Sequence, residues 1–507
     1  MSPFSSRKRI LVALCCLLFA LLIFLGYSDF EFFFKSSSRG VYRLPDRGDL
    51  RIRPAGHGHS ILLITVDALR PDYLSANGYD RNVSPAMDQL IQRGLYFSHC
   101  VTTIPKTTQS LACLHTGCYP YKTQVRTLWD RLSPQAVTIA EILKDAGYQT
   151  IAVVSNSMLS PTRGLNRGFD IYDLGLSSRD AIKTTMRAVQ HLSEGNPDLP
   201  FFLWVHYIDP HVPYYPPEEL AKAVDPNYEG LYASHFGDKE GESAEHDYPS
   251  ELGKERAVFH NDLGDEINQH IRRLYAADIR QADLGIAQLL AEARRIAQDH
   301  LIVILTADHG ESLGEHDYFY SHGDYLYDPG LKVPLAVVLP NSHPLYATGR
   351  VKDRVSLIDI LPTVLDLAGV VVESPHLLDI DGLSLIPYWR GEGLKPRALY
   401  AESDNSFYPL AIKRRVRFDT AGRFRCVFFN QWKLIWTPEQ EPDLMYELYN
   451  LEGDPEEMKN IYSADHPYYR LLVQFLQAWM KPQDVYPPET KPSQKDLEIL
   501  KSLGYIK

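Results

Sequence analysis

The chain of 507 residues reads as an α/β protein built on a mostly parallel central sheet flanked by helices. Three observations carry that prediction. Short apolar runs rich in β-branched residues recur along the chain, each closed by polar punctuation, as in strands buried on both faces. Longer helical patterns lie between these runs, and strands alternating with helices call for parallel pairing through crossovers. After about residue 385 the strands become shorter and more polar, which marks a small C-terminal α+β subdomain.

At the N-terminus Arg7, Lys8 and Arg9 precede an uncharged apolar run over 10–26, extended by Tyr27 and Ser28. That length is near the lower limit for crossing a bilayer, and no small-residue cleavage site follows, so residues 1–35 read as a cytoplasmic basic tail and uncleaved transmembrane signal anchor. Positive charge on its N-terminal flank places everything beyond it on the exported side, periplasmic or extracellular. Cys15 follows Leu14 rather than a small residue, which argues against lipidation there. Residues 36–59 are rich in Gly, Ser and Arg and read as a linker.

The main domain is expected over 60–384. Its buried strands are predicted at 61–66, 150–156, 201–208, 301–308 and 333–340, and its helices include 136–147 and 272–297. The stretch 216–270 is acidic, marked by His and Pro and without strong periodicity, so it reads as an insertion. Residues 385–507 form the second subdomain, with RCVFFNQWKLIW as its clearest strand pattern.

A net charge of −12 argues against nucleic acid as a partner, because a phosphate backbone demands a basic face. Beyond the two cysteines of the anchor, Cys100, Cys113, Cys118 and Cys426 show no CxxC spacing, which disfavours a cysteine zinc site. Their pairing stays open: a disulfide suits an exported domain, and buried apolar thiols suit any compartment.

In open α/β sheets functional groups collect beyond the carboxyl ends of the strands. Asp67 stands there after the first run, His206, Asp209 and His211 after the third, and Asp308, His309, Gly310 and Glu311 after the fourth. Any one Asp there is as readily a helix cap, and any one His a structural residue. Together, carboxylates and an imidazole at several strand ends suit a zinc or manganese ion; carboxylate alone would suit calcium or magnesium. A pair of hydroxyls, Thr107 and Thr108 in TIPKTTQSL, precedes an apolar segment and offers either a helix cap or a nucleophile.

The segments VDALRPDYL, PKTTQSLACLHTGCYP, FFLWVHYIDPHVPY and LTADHGESLGEHDYFYSHGDYLYDPGLKVPL resemble, in order and spacing, the sulfatase family of the alkaline phosphatase superfamily. RVSLIDILPTVLDLAG and ELYNLEGDPEEMKN resemble its closing segments, so the likeness spans about 60–462. It implies an alkaline-phosphatase-like fold and an ester-cleaving catalytic domain. By that resemblance Asp67, Asp308 and His309 are metal ligands. Registering CLHTGCYP on the family pattern puts Thr107 at the nucleophile, where it would also meet the metal, Thr108 at the variable position and Ser110 at the helix start. His322 and His211 fall on groups that meet the ester oxygens or protonate the leaving group, with Asp209 as a supporting partner. One divalent ion is expected; a second site from Asp209, His211 and His322 is the less favoured alternative.

Departures from the pattern are specific. Gln109 and Leu111 replace the Pro and Arg that guide formylglycine maturation, and a threonine cannot be converted, so no formylglycine is expected. Ala68 stands where classical members carry a second acidic ligand, and VSNSM at 154–158 replaces the family's GKWH segment. A threonine nucleophile resembles the branch that includes phosphonate monoester hydrolases and the membrane-anchored phosphoethanolamine and phosphoglycerol transferases. The expectation is thus a membrane-anchored, metal-dependent hydrolase or transferase acting on phosphate- or sulfate-type esters, with an envelope lipid or glycan as the substrate class. Two alternatives stand beside it: a sulfuric ester hydrolase of an envelope or extracellular glycan, and a catalytically silent tethered binding protein.

Overall fold

The computed structural model describes residues 52–54, 58–175, 179–236, 262–372, 379–403, 424–437 and 445–480. The anchor expected within 1–35 lies outside these residues. Among the described residues no helix is long and apolar enough to cross a membrane. Part of the expected linker is not linker: Ile52–Pro54 pairs antiparallel with Val370–Val372.

The nine-stranded central sheet is built from β1 (Ser60–Val66), β2 (Leu95–Val101), β3 (Gln149–Val154), β4 (Ile171–Leu174), β5 (Phe201–Tyr207), β6 (Leu301–Ala307), β7 (Lys332–Val333), β8 (Leu335–Val338) and β9 (Gly349–Ser356). Strands β6, β1, β5, β3 and β4 lie side by side and parallel. Every residue of β1, β5 and β6 is buried, as continuous apolar runs between two helical layers require. The other flank is mixed. Strand β8 runs antiparallel to both β6 and β2, β7 continues that pairing on β2, and β9 joins β2 in parallel.

The run at 333–340, predicted as a buried strand of a mostly parallel sheet, is antiparallel to its neighbours and split by Pro334, which has no amide hydrogen to give a ladder. Between β6 and β8 the chain forms a small antiparallel hairpin, Ser312–Leu313 with Phe319–Ser321, and single helical turns such as Asp328–Leu331, and without a crossover helix it returns against its own direction.

Helices α1 (Pro85–Arg93), α2 (Thr107–Thr116), α3 (Ile139–Asp145), α4 (Ala181–Ser193), α5 (Asp265–Ala297) and α6 (Ile360–Ala368) accompany the sheet. Helix α3 starts at a capping box in which Thr138 and Glu141 satisfy each other's backbone amides. The 33-residue α5 begins seven residues before the predicted 272, inside the stretch read as an insertion, and that stretch also holds the short helix Glu218–Val224. Its Gly285 allows close approach to α4, since a Cβ there would lie 2.8 Å from Thr185 Oγ1.

A second sheet, antiparallel, takes strands β10 (Leu399–Glu402), β11 (Arg425–Phe429), β12 (Trp432–Trp436) and β13 (Tyr446–Asn450) in sequence order. Helix α7 (Pro467–Met480) covers it with Leu472, Leu476 and Trp479. These join Val427, Leu434 and Leu448 in one apolar cluster that reaches Cys113 on α2, so the small sheet is packed against the helix that begins at Thr107. Cys100, Cys113, Cys118 and Cys426 are all buried and unpaired thiols.

Candidate active site

The carboxyl ends of β1, β5 and β6 meet at one place beside the N-terminus of α2. Asp67 follows β1 directly, and its amide donates to Tyr207 O at 2.9 Å. The chain then turns sharply through Ala68, whose φ of 56° is left-handed and rare for a residue with a Cβ. Tyr275 of α5 holds this turn: its hydroxyl donates to Ala68 O at 2.7 Å and accepts from Arg70 N at 3.0 Å.

Asp67 and Asp308 are each held by one oxygen only. Asp67 Oδ2 lies 2.6 Å from Asn156 Nδ2, which donates to it, and 3.2 Å from His206 Nε2. Asp308 Oδ1 accepts from Ala68 N at 3.1 Å and from His309 N at 2.8 Å. Asp67 Oδ1 and Asp308 Oδ2 are buried without a hydrogen-bond partner. His309 Nδ1 sits 2.8 Å from Gly310 O, which takes the ring proton and leaves a lone pair on Nε2. That Nε2 lies 3.5 Å from Asp67 Oδ1 and 3.5 Å from Asp308 Oδ2.

Two unsatisfied carboxylate oxygens and an imidazole lone pair thus converge in a fully buried space, with the three ligand atoms within 4.8 Å of one another. The electrostatics point the same way. Burial would raise the Asp67 carboxyl, but His211, His206 and His309 hold it well below the usual carboxylate range. Burial, and then the charge on Asp67, push Asp308 far above that range. Burial lowers His309 to about 4, so its ring is neutral at ordinary pH. A divalent cation removes the conflict between the two carboxylates, and the donor set of two oxygens and one nitrogen suits it. Among the described residues this is the sole such cluster, so Asp209, His211 and His322 do not form a second one.

Thr107 opens α2, with Lys106 in extended conformation as the residue before it. Its Oγ1 lies 3.3 Å from His309 Nε2 and 3.5 Å from Asn156 Nδ2, at the edge of the cluster. Thr108 is turned away, its hydroxyl donating to Met158 O at 3.0 Å. Ser110, expected at the helix start, lies within the first turns. The helix begins at Thr107 because Lys106 O already accepts from Ser110 N at 2.9 Å. The Ser110 hydroxyl instead donates to Asp308 O at 2.6 Å and lies 2.8 Å from Thr102 Oγ1, which ties α2 to the loop after β6.

His322 and His211 stand over the same space. The His322 ring is 4.1 Å from that of His309 and 5.0 Å from that of His211, centroid to centroid. His211 Nδ1 lies 2.5 Å from Val212 O, and burial lowers its pKa. Asp209 is buried in the same loop, outside the ligand cluster.

Three residues of the site carried no assigned role in the sequence. Asn156, in the VSNSM stretch where the family's GKWH lysine and histidine are missing, supplies an amide donor to Asp67 and Thr107. It lies two residues beyond β3, so the strand-end rule that found Asp67 would also have found it. Glu311 is fully buried, its carboxyl pushed far up by burial, and its Oε1 lies 3.2 Å from His322 Nδ1. Lys106 is buried and crosses Gly323, where a Cβ would lie 2.1 Å from its Cε.

The chain matches the Sulfatase family model over residues 59–370, and over residues 314–483 the model described as N-sulphoglucosamine sulphohydrolase, C-terminal. Among curated proteins it is similar to the N-acetylglucosamine-6-O-sulfatase of Bacteroides thetaiotaomicron, at 22% identity over 87% of this chain and 89% of that protein. Among solved structures it resembles a complex with the substrate D-glucosamine-2-N,6-O-disulfate, at 22% identity and a TM-score of 0.66, covering 85% of this chain and 100% of the other. It also resembles the phosphonate monoester hydrolase of Agrobacterium radiobacter, at 20% identity and a TM-score of 0.62, covering 86% of this chain and 98% of the other.

Proposed function

The chain belongs to the sulfatase family and is an ester hydrolase, and from that premise we propose that it cleaves phosphate-type esters through a covalent intermediate on Thr107. The observation that carries this is the place of the Thr107 hydroxyl, 3.3 Å from His309 Nε2 beside two carboxylate oxygens without partners. No cysteine or serine occupies that position, so formylglycine chemistry has no precursor there.

Asp67, Asp308 and His309 would hold one divalent ion, with Thr107 beside it. Such an ion lowers the pKa of a neighbouring hydroxyl and neutralises ester oxygens. The residues divide the remaining work. Thr107 Oγ1 attacks the central atom as the ester bond to the alcohol breaks, and its proton passes to water. Asn156 Nδ2 orients the attacking oxygen. His211 or His322 gives the departing alkoxide its proton, and Glu311 fixes the His322 ring. Water then displaces the Thr107 oxygen, a proton of that water restores the Thr107 hydroxyl, the histidine regains its proton from solvent, and the product acid leaves.

A second reading, a sulfate ester of an amino sugar, is favoured by the names of the relatives, whose substrates include 6-O-sulfated glucosamines. Hydrolysis of aryl sulfate, phosphate monoester, phosphate diester and phosphonate monoester by wild type and Thr107→Ala separates the two. Phosphorus esters turned over by wild type and lost in Thr107→Ala support the first reading. Dominant sulfate turnover that survives Thr107→Ala would overturn it. We further propose that the apolar run at 10–26 tethers the enzyme to a membrane with its site on the exported side. Full sensitivity of the catalytic domain to protease in sealed, right-side-out cells or spheroplasts supports that, and protection contradicts it.

A further inference from the structure

Three fully buried side chains of the central sheet form a chain of hydrogen bonds that ends on Asp67. Trp204 Nε1 donates to Thr65 Oγ1 at 2.9 Å, the kind of acceptor a buried indole N–H usually takes. Thr65 Oγ1 lies 2.9 Å from His206 Nδ1, and His206 Nε2 lies 3.2 Å from Asp67 Oδ2. Neighbours on β1 and β5 bring them together, since Thr65 pairs with His206 across the parallel ladder.

Proton counting assigns a direction. The Thr65 hydroxyl proton has two acceptors in reach, Val205 O at 3.5 Å and His206 Nδ1 at 2.9 Å. With a neutral ring, giving it to Val205 would require His206 to carry its one proton on Nδ1. The Nε2 lone pair would then face a carboxylate oxygen at 3.2 Å, two acceptors in contact within a dry core. Giving it to Nδ1 puts the ring N–H on Nε2, where it donates to Asp67. The second arrangement satisfies every group: Trp204 donates to Thr65, Thr65 to His206, and His206 to Asp67.

We propose that this Trp204–Thr65–His206 relay positions Asp67 as a one-oxygen metal ligand. With Oδ2 taken by the His206 and Asn156 donors, Oδ1 alone turns to the ion. The relay selects the tautomer of His206, and His206 selects the oxygen. The inference rests on Asp67 being a metal ligand, and it names positioning residues rather than groups that touch substrate. Partners of this kind behind a ligand typically change metal affinity about 10–100-fold.

The test is the affinity of full-length protein, stripped of metal with a chelator, for Mn²⁺ and Zn²⁺ in competition with a chromophoric chelator. His206→Phe is expected to bind at least about tenfold more weakly than wild type. His206→Gln, which places an amide donor where Nε2 stood, is expected to stay within about threefold. Thr65→Val, nearly isosteric, is expected to fall between them, and it carries the test should His206→Phe fail to fold. Equal losses in the Phe and Gln variants, affinity within twofold of wild type in His206→Phe, or an unchanged Thr65→Val would overturn the relay. Asp67→Ala separates the two levels. Unchanged affinity there defeats the metal site itself, whereas its loss alongside an unaffected His206→Phe defeats the relay alone.

Discussion

Adjacent hydroxyls that differ by one position along a helix point about 100° apart, and at the start of α2 that rotation separates chemistry from packing. Thr107 faces His309, while Thr108 spends its proton on Met158 O. Thr107→Ala is therefore expected to lose at least about a thousandfold in kcat with its folding intact, as removal of a nucleophile does. Thr108→Ala is expected to turn over substrate within a few-fold of wild type but to lose on the order of 1 kcal/mol of stability with its buried hydrogen bond. Steady-state kinetics and urea unfolding of the pair measure both. That Asp67, Asp308 and His309 could meet at one place was legible from their strand ends, and the family resemblance singled them out from the other groups there. The strand-end positions of Asn156 and Glu311 were legible too, but their roles, like that of Lys106, were not, because an amide, a third carboxylate and a lysine acquire meaning only from what the fold sets opposite them.

Elements position the site through buried polar contacts as well as apolar ones. Asp283 on α5 accepts from Ala86 N at 2.9 Å and Met87 N at 2.9 Å, which caps α1 from outside its own sequence. Burial pushes this carboxyl up to about 6. A raised carboxyl pKa means the fold favours the protonated form, so its contribution is full below about 4 and is lost as pH rises through about 6. Asp283→Asn keeps an acceptor without a charge to bury. Its unfolding free energy relative to wild type is expected to improve by on the order of 2–3 kcal/mol between pH 4 and pH 7.5. Chemical denaturation at those two values checks it, and a pH-independent difference would remove Asp283 as the cause. Strands were legible from apolar runs, yet their directions were not: β8 and β6 are both short apolar runs, and whether a crossover helix lies between them decides. The early start of α5 escaped because its first turns are acidic and exposed in part, where no apolar stripe marks a helix.

Across the whole molecule, the small sheet reaches the ligand loop through a buried charge cluster. Lys433 on β12 lies 3.1 Å from Asp328 Oδ1 and 2.5 Å from Glu457 Oε1, and Glu457 accepts from Asp328 N at 2.6 Å. Two residues on, Gly330 O accepts from Gly310 N at 2.9 Å, next to His309. Gly310 has no room for a side chain, since a Cβ would lie 2.0 Å from Pro329 O. Lys433→Met strands two buried carboxyls and is expected to cost about 3–5 kcal/mol, whereas the neutral triple variant Lys433→Met, Asp328→Asn, Glu457→Gln is expected to recover most of it. Equal losses in both would show that packing, not charge pairing, sets the cost. The change of texture near residue 385 foretold a second sheet; its tie to the active-site loop rests on contacts between residues 105 and 129 positions apart, beyond any local pattern.

The claim that joins these scales is that Thr107 carries the ester's central group between two half-reactions. Mass spectrometry of protein quenched during turnover of a phosphate or phosphonate ester tests it most directly. A phosphoryl-type adduct on the peptide containing Thr107, assigned to that residue and absent from Thr107→Ala, is the expected result. An adduct on Thr108, or undiminished turnover by Thr107→Ala with no adduct at all, would contradict it.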